Sequence, residues 1–291
     1  MMVTIFTPTY NRSYIINQLY KSLLNQTNKD FEWLIIDDGS NDGTESLINS
    51  FIKENSISLR YFKQNNGGKH RAINKGLTLA EGELFFIVDS DDYLTKNAIS
   101  LISEYHEKLF DDTTLAGVSF RRGYNEKEPI GSKVLFNDFK SNVFDFRYIH
   151  KIKGDQAEVY KTEILKNYNF PDYKNEKFCA EGLLWNRLGL KYKILWTSKI
   201  VYICNYLEDG LTSKTIKNRK KSPKYSMLYY SELEKYRIPY IQKLKANINF
   251  WRFSFESKDS IVNKLKRVDI LISLLGFPIG VLMYLKDNLQ S

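Results

Sequence analysis

A chain of 291 residues with 43 Lys and Arg against 34 Asp and Glu, a net charge of +9, is long enough to bury a large core in one catalytic-sized domain with an extension. Its 43% hydrophobic and 14% aromatic content excludes a disordered chain, and two cysteines in unlike contexts, Cys179 and Cys204, exclude a disulfide scaffold and give no metal-ligand spacing. The positive charge points to an anionic partner, whether nucleotide phosphates, an acidic lipid leaflet or nucleic acid.

The first residues, "MMVTIFTPTYNR", enter a strand pattern at once, with no basic stretch leading into a long apolar run, so no signal peptide is expected. "VTIFT" is the first strand, and Ile15, Ile16, Leu19, Tyr20, Leu23 and Leu24 then recur at helical spacing. "FEWLIID" predicts a second strand, "TESLINSFIKE" a helix, "SLRYFK" a third strand, "KHRAINKGLTLA" a helix and "ELFFIVD" a fourth strand. This βαβαβαβ order implies an α/β fold with a mainly parallel sheet covered by helices on both faces. In such sheets ligands bind beyond the carboxyl ends of the strands, so "PTYNR", "DDGSNDG" and "DSDD" are expected to share one crevice. One further helix is read in "KNAISLISEYHEKLF". Beyond residue 213 the composition shifts to a basic, Tyr-rich, helical extension, 214–291.

The stretch "FFIVDSDDYL" runs an apolar strand into Asp89, Asp91 and Asp92. Three carboxylates at a sheet edge repel one another unless they are protonated, solvated or met by a cation, and oxygen ligands suit Mg²⁺ or Mn²⁺. A solvated acidic turn before the next helix is the plainer alternative.

"TPTYNR", "IIDDGSNDGT", "NNGGKHRAINKG" and "FFIVDSDDYL" occur in the order and spacing of family 2 inverting glycosyltransferases with the GT-A fold, and the chain resembles that family over about residues 1–213. The resemblance divides this region into a nucleotide-sugar-binding half, 1–110, and an acceptor-binding half, 111–213, and implies a role for each matching residue. Pro8, Tyr10, Arg12 and Asp38 would hold the base and ribose of a UDP-sugar, with Asp38 accepting from the uracil N3–H. Asp38 read as a helix cap is the alternative. Lys69 or Arg71 would meet the pyrophosphate, with Lys69 favoured, and His70 beside them reads as a surface or capping residue. Asp91 would be the principal ligand of Mn²⁺ or Mg²⁺, with Asp89 on the metal or ribose, and Asp155 would lie by the donor sugar or acceptor.

An inverting transfer also needs a base for the acceptor hydroxyl. Where the family carries an acidic pair four residues before a Trp, this chain has Ala180 and Glu181 before Trp185, which makes Glu181 the expected catalytic base and Glu176 its rival.

The basic stretch Lys214, Lys217, Arg219, Lys220, Lys221 and Lys224 is either a solvated face or a contact with an anionic membrane surface. The apolar run "ILISLLGFPIGVLMYLKD", with Gly276, Pro278 and Gly280, is short of the roughly 20 residues of a spanning helix and fits an interfacial or re-entrant element beside an anionic leaflet, or equally a segment docked on the catalytic domain or in a homo-oligomer contact. The expected function is a metal-dependent transferase acting on a glycan or lipid-linked oligosaccharide in capsular, exopolysaccharide or cell-surface glycan synthesis, cytoplasmic and peripheral at the inner face of the plasma membrane. A nucleotidyltransferase would carry a Gly-rich basic loop after the first strand, which "TPTYNR" is not. A degenerate nucleotide-sugar-binding or scaffold module would not need the "DSDD", "DDGS" and Glu181 set. A nucleic-acid partner leaves all of these motifs unexplained.

Overall fold

A computed structural model describes residues 2–204 and 214–289. The chain divides into two compact units, one of Met1–Asn169 with Arg187–Leu207 and one of Phe170–Asn186 with Glu208–Ser291. The boundary read from composition at 213, where the family resemblance also ends, lies outside the described residues.

In the first unit, β1 (Val3–Thr9), α1 (Asn17–Leu24), β2 (Phe31–Asp37), α2 (Thr44–Glu54), β3 (Leu59–Lys63), α3 (Lys69–Leu79) and β4 (Leu84–Ile87) follow in the expected alternation. Then come β5 (Tyr93–Leu94), α4 (Ala98–Ser103), α5 (His106–Phe110), β6 (Leu115–Gly123), β7 (Phe139–Ser141), α6 (Val143–Tyr148), β8 (Gln156–Lys161) and α7 (Thr162–Leu165). Helix α8 (Gly182–Gly189) carries the chain back from the second unit, and β9 (Lys193–Ile203) completes the first. The single helix expected over "KNAISLISEYHEKLF" is two short ones. The break falls at Tyr105, which is buried and whose OH donates to Asp138 Oδ2 at 2.8 Å.

Among the described residues the nine strands form one sheet in the order β3-β2-β1-β4-β8-β6-β9-β5, with β7 also paired to β9. The period of two in β1 sends Val3 and Ile5 to one face, where Leu19, Leu23, Ile48 and Phe51 of α1 and α2 join them in the core. Phe6 points to the other face, so close to Gly76 of α3 that a Cβ there would overlap its ring. Strands β1 to β4 pair in parallel, as do β6 and β9, while β8 runs antiparallel between β4 and β6. The reversal of β8 decides what stands at the sheet edge. It brings the amino end of β8, where Gln156 pairs with Arg121, to the edge at which the parallel strands end.

The second unit holds α9 (Thr215–Lys221), α10 (Pro223–Lys235), α11 (Tyr240–Ser254), α12 (Ile261–Leu265) and α13 (Ile270–Leu289) around Met227, Phe250, Trp251 and Val268. Residues 170–186, read from sequence as part of the acceptor-binding half, pack with these helices. The Tyr173 ring lies 4.8 Å from that of Tyr225, Pro171 O accepts from Tyr225 OH at 2.8 Å, and Ser222 Oγ accepts from Phe178 N–H at 3.1 Å. Helix α13 corrects the expectation of a short apolar run. It continues through Pro278 for 20 residues and is, by length and composition, long enough to cross a membrane.

Candidate active site

The loops at the sheet edge are organised by their own carboxylates. Asp37 ends β2 fully buried, its Oδ1 accepting from Ser40 N–H at 2.7 Å and its Oδ2 from Tyr61 OH at 2.7 Å. Asp38 follows with both oxygens engaged: Oδ1 accepts from Gln64 Nε2 and Gly67 N–H, each at 2.8 Å, and Oδ2 from Gly68 N–H at 2.7 Å. Asp38 therefore braces the loop that opens α3. Gly68 is required there because its φ of +98° lies in a region side chains avoid, and this turn aims its N–H at Asp38.

Asp42, in the loop after β2, ties Ser13, the residue that follows "PTYNR", to the start of α2. Its Oδ2 accepts from Ser13 N–H at 3.0 Å and Ser13 OH at 2.9 Å, and its Oδ1 from Thr44 N–H at 3.1 Å and Thr44 OH at 2.6 Å. Burial opposes ionisation of this carboxyl, but the four donors outweigh it and bring the pKa down to about 2. Tyr10 stands 47% exposed at the edge, and Pro8 is buried in β1 opposite Ile36. Arg12 is half-buried, donating from Nη1 to Tyr14 OH at 3.2 Å.

The three acids after β4 are met unequally. Asp89 Oδ1 lies 2.5 Å from Lys69 Nζ at the start of α3, and Oδ2 lies 3.9 Å from Arg122 Nη1 at the end of β6. Burial would raise the Asp89 pKa, yet the Lys69 and Arg122 charges hold it below the usual carboxylate range. Asp92 is buried and accepts from Tyr202 OH at 2.7 Å, and the same hydroxyl accepts from Asp89 N–H at 2.9 Å. The Arg122 guanidinium sits 4.2 Å from the Tyr202 ring centroid and donates from Nε to Gln156 O at 2.7 Å. Asp91 is different. Burial and then the neighbouring Asp89 charge push its pKa up, and Arg12 and Lys69 offset this only in part.

The structure thus answers much of the repulsion among the acids with Lys69, Arg122 and Tyr202, where the sequence pointed to a metal ion. Among the described residues no three His, Cys, Asp or Glu side chains are grouped to hold a metal by themselves. Asp91, with Asp89 two residues before it, still suits Mg²⁺ or Mn²⁺, which are commonly held by one or two carboxylates together with substrate phosphates.

The edge gathers Tyr10, Arg12, Asp38, Lys69, Asp89 and Asp91. Asp155, exposed just before β8, ends at the same side of the sheet because β8 is reversed. Lys69 makes the ion pair, while Arg71 folds back on its own turn and donates to Gly67 O. His70, expected at the surface or as a cap, is buried on α3 because its position faces the sheet. Arg122, Tyr202 and Asp42 were not singled out in the sequence. The signal for Arg122 was the pair "RR" closing an apolar strand, whereas nothing local marks Tyr202. Cys204 is a packing thiol, pushed up to about 12 by burial and then by Asp92.

Glu181 lies in the second unit, half-exposed at the amino end of α8, where its carbonyl accepts from Leu184 and Trp185 N–H. Its rival Glu176 is buried, with Oε1 accepting from Lys224 N–H at 3.0 Å and Oε2 from Tyr225 N–H at 3.1 Å, which closes the amino end of α10.

Comparison with known proteins agrees with this arrangement of strands and loops: the model of the family described as Glycosyl transferase family 2 matches residues 4–168. The chain belongs to that family. It is a glycosyltransferase, and its curated relatives are bacterial glycan transferases. The GalNAc(5)-diNAcBac-PP-undecaprenol beta-1,3-glucosyltransferase of Campylobacter jejuni is 30% identical over 224 residues, covering 74% of this chain and 69% of that protein. Glycosyltransferase GlyG of Streptococcus pneumoniae is 31% identical over 210 residues, covering 69% of this chain and 68% of the relative. The crystal structure of S. aureus TarS 1-349 in complex with UDP-GlcNAc superposes with a TM-score of 0.68 at 19% identity, covering 98% of this chain and 89% of that one. The shared architecture is the GT-A fold of family 2, as the sequence motifs implied.

Proposed function

We propose that this family 2 enzyme is a metal-dependent inverting glycosyltransferase that moves a sugar from a UDP-sugar to a hydroxyl of a glycan or lipid-linked oligosaccharide, in cell-surface glycan synthesis at the inner face of the plasma membrane. The observation that carries this reading is the convergence of Asp89, Asp91, Lys69 and Arg122 where the β1, β2 and β4 loops meet. Two of the solved structures similar in fold, those of TarS, contain UDP-GlcNAc and UDP, and the Campylobacter relative is named for an undecaprenol-linked acceptor.

Tyr10 flanks the base, and the loop braced by Asp38 presents α3's amino end toward the diphosphate. Asp38 supports this site mainly by holding Gly67 and Gly68, since both its oxygens already accept. Asp91, with Asp89 beside it, would hold Mn²⁺ or Mg²⁺, an ion that supplies positive charge to the departing diphosphate. Lys69 and Arg12 add charge to the same edge. Glu181 takes the proton of the acceptor hydroxyl as its oxygen forms the new bond to the anomeric carbon and the bond to the diphosphate breaks, inverting that carbon. Glu176 is the lesser candidate because its oxygens already accept from the amino end of α10. Asp155 orients sugar or acceptor.

Calorimetry with UDP, GDP, dTDP and CDP, with and without Mn²⁺, tests the donor site: metal-dependent preference for UDP is expected, and binding of none by folded protein overturns the reading. Glu181→Gln is expected to keep donor binding and lose transfer at least about 100-fold. Near-normal turnover would remove Glu181 from the role and bring Asp155 forward.

A further inference from the structure

We infer that α13 lies in the plane of a membrane surface, with its outer face immersed among anionic lipids, and does not cross the bilayer. This deepens the membrane location proposed above and rests on it for the choice of leaflet, while the transfer chemistry is read out separately.

One face of α13 is already taken. Ile272, Ser273, Gly276 and Gly280 are buried, and a Cβ at Gly280 would stand 2.7 Å from Trp251 Cβ, so the glycines let α13 lie close along α11. Both ends are tied to that helix. Ser273 Oγ accepts from Asn247 Nδ2 at 2.9 Å and Trp251 Nε1 at 3.1 Å, and Asp287 accepts a two-pronged ion pair from Arg252, each contact 2.7 Å. A spanning α13 would either break these ties or drag α11, with Lys243, Lys245 and Arg252, into hydrocarbon.

The opposite face is a stripe of Leu271, Leu274, Leu275, Leu282 and Leu285, with Leu271 76% and Leu274 70% exposed. At 1.5 Å per residue it runs about 20 Å. No charged residue interrupts the helix from Ile270 to Leu285.

The charge distribution says what covers the stripe. Residues 214–291 carry 16 Lys and Arg against six Asp and Glu, a net +10, while residues 1–213 carry 27 against 28. All the excess positive charge therefore belongs to the segment with the stripe. Lys220 of α9 donates to Asn288 in the last turn of α13, with exposed Lys217 and Lys221 on the same helix; exposed Lys286 follows the stripe directly, and at its other end Asp269 caps α13 two residues after Arg267 and three after exposed Lys266. An apolar stripe on a segment of net charge +10 matches an anionic bilayer surface. A second copy would bring two such positive segments together.

The test is flotation of the full chain with vesicles of phosphatidylcholine alone or with phosphatidylglycerol, alongside calorimetric UDP binding. Flotation with the anionic vesicles, released by alkaline carbonate, is expected. Leu274→Glu with Leu282→Glu should cut partitioning more than about tenfold, and Lys217→Glu with Lys221→Glu about fivefold per residue at low salt, all with UDP binding unchanged. The inference falls if the folded protein floats with neither vesicle, binds neutral vesicles equally, resists carbonate, or forms a dimer that the double leucine variant dissociates. Loss of UDP binding in the unmodified chain would instead strike the proposed function.

Discussion

Two acidic pairs close the strands on either side of β1, β2 and β4, and are put to opposite uses. Asp37 and Asp38, after β2, face neutral donors: Ser40 and Gly67 and Gly68 N–H groups, Tyr61 and Gln64. Asp89 and Asp91, after β4, face Lys69, Arg122 and, farther off, Arg12, and Asp91 keeps a raised pKa. A carboxylate whose lone pairs are filled by backbone amides fixes a loop. One left in a field of cations, short of full compensation, is poised for a ligand that brings its own charge. The residue type and the position at the end of a strand are the same, and the partners decide.

The sharpest way to break this contrast is Asp91→Asn. Metal-dependent UDP binding should vanish and transfer fall at least about 1000-fold, while the thermal midpoint holds or rises, because a carboxylate disfavoured by burial and by Asp89 has been removed. A large loss of thermal stability would place Asp91 with the bracing acids.

Asp38→Asn should behave in the converse way. Replacing one acceptor oxygen by an amide leaves Gly67 or Gly68 N–H facing a donor, at a cost of about 1–3 kcal/mol in urea unfolding, and UDP affinity should drop whether or not Mn²⁺ is present. Unchanged stability with altered nucleotide preference would instead give Asp38 the base-reading role that the family resemblance implied.

Tyr202→Phe removes the hydroxyl shared by Asp89 N–H and Asp92, and should cost about 1–2 kcal/mol together with a several-fold weaker response of UDP binding to Mn²⁺. Loss of stability alone would limit Tyr202 to packing.

The smallest effect is expected at Asp42. Its folded pKa, about 2, lies below the unfolded value near 3.8, so its contribution is present above that value and is lost as pH falls toward 2. Asp42→Asn should therefore cost about 1 kcal/mol at pH 7 and almost nothing near pH 2, as read by denaturant unfolding at the two values.

The sequence by itself determined the elements that obey a local period. Phe31–Asp37 and Thr44–Glu54 have the bounds read from an apolar strand run and from helical spacing, and the parallel core with loops at one edge follows from their order. The motifs also named the acids, because each follows its strand directly. What tertiary structure alone decided is who answers those acids. Arg122 and Tyr202 reach Asp89 and Asp92 across more than thirty and one hundred residues of chain, through the antiparallel placement of β8 and the return of β9, and no local pattern encodes such a pairing. The same holds for Glu176, whose role is set by α10, and for α13, whose glycines read as interruptions until α11 is seen packed against them. Backbone periodicity is a property of neighbours along the chain, whereas the charge state and availability of a side chain depend on groups brought near only when the sheet and helices close.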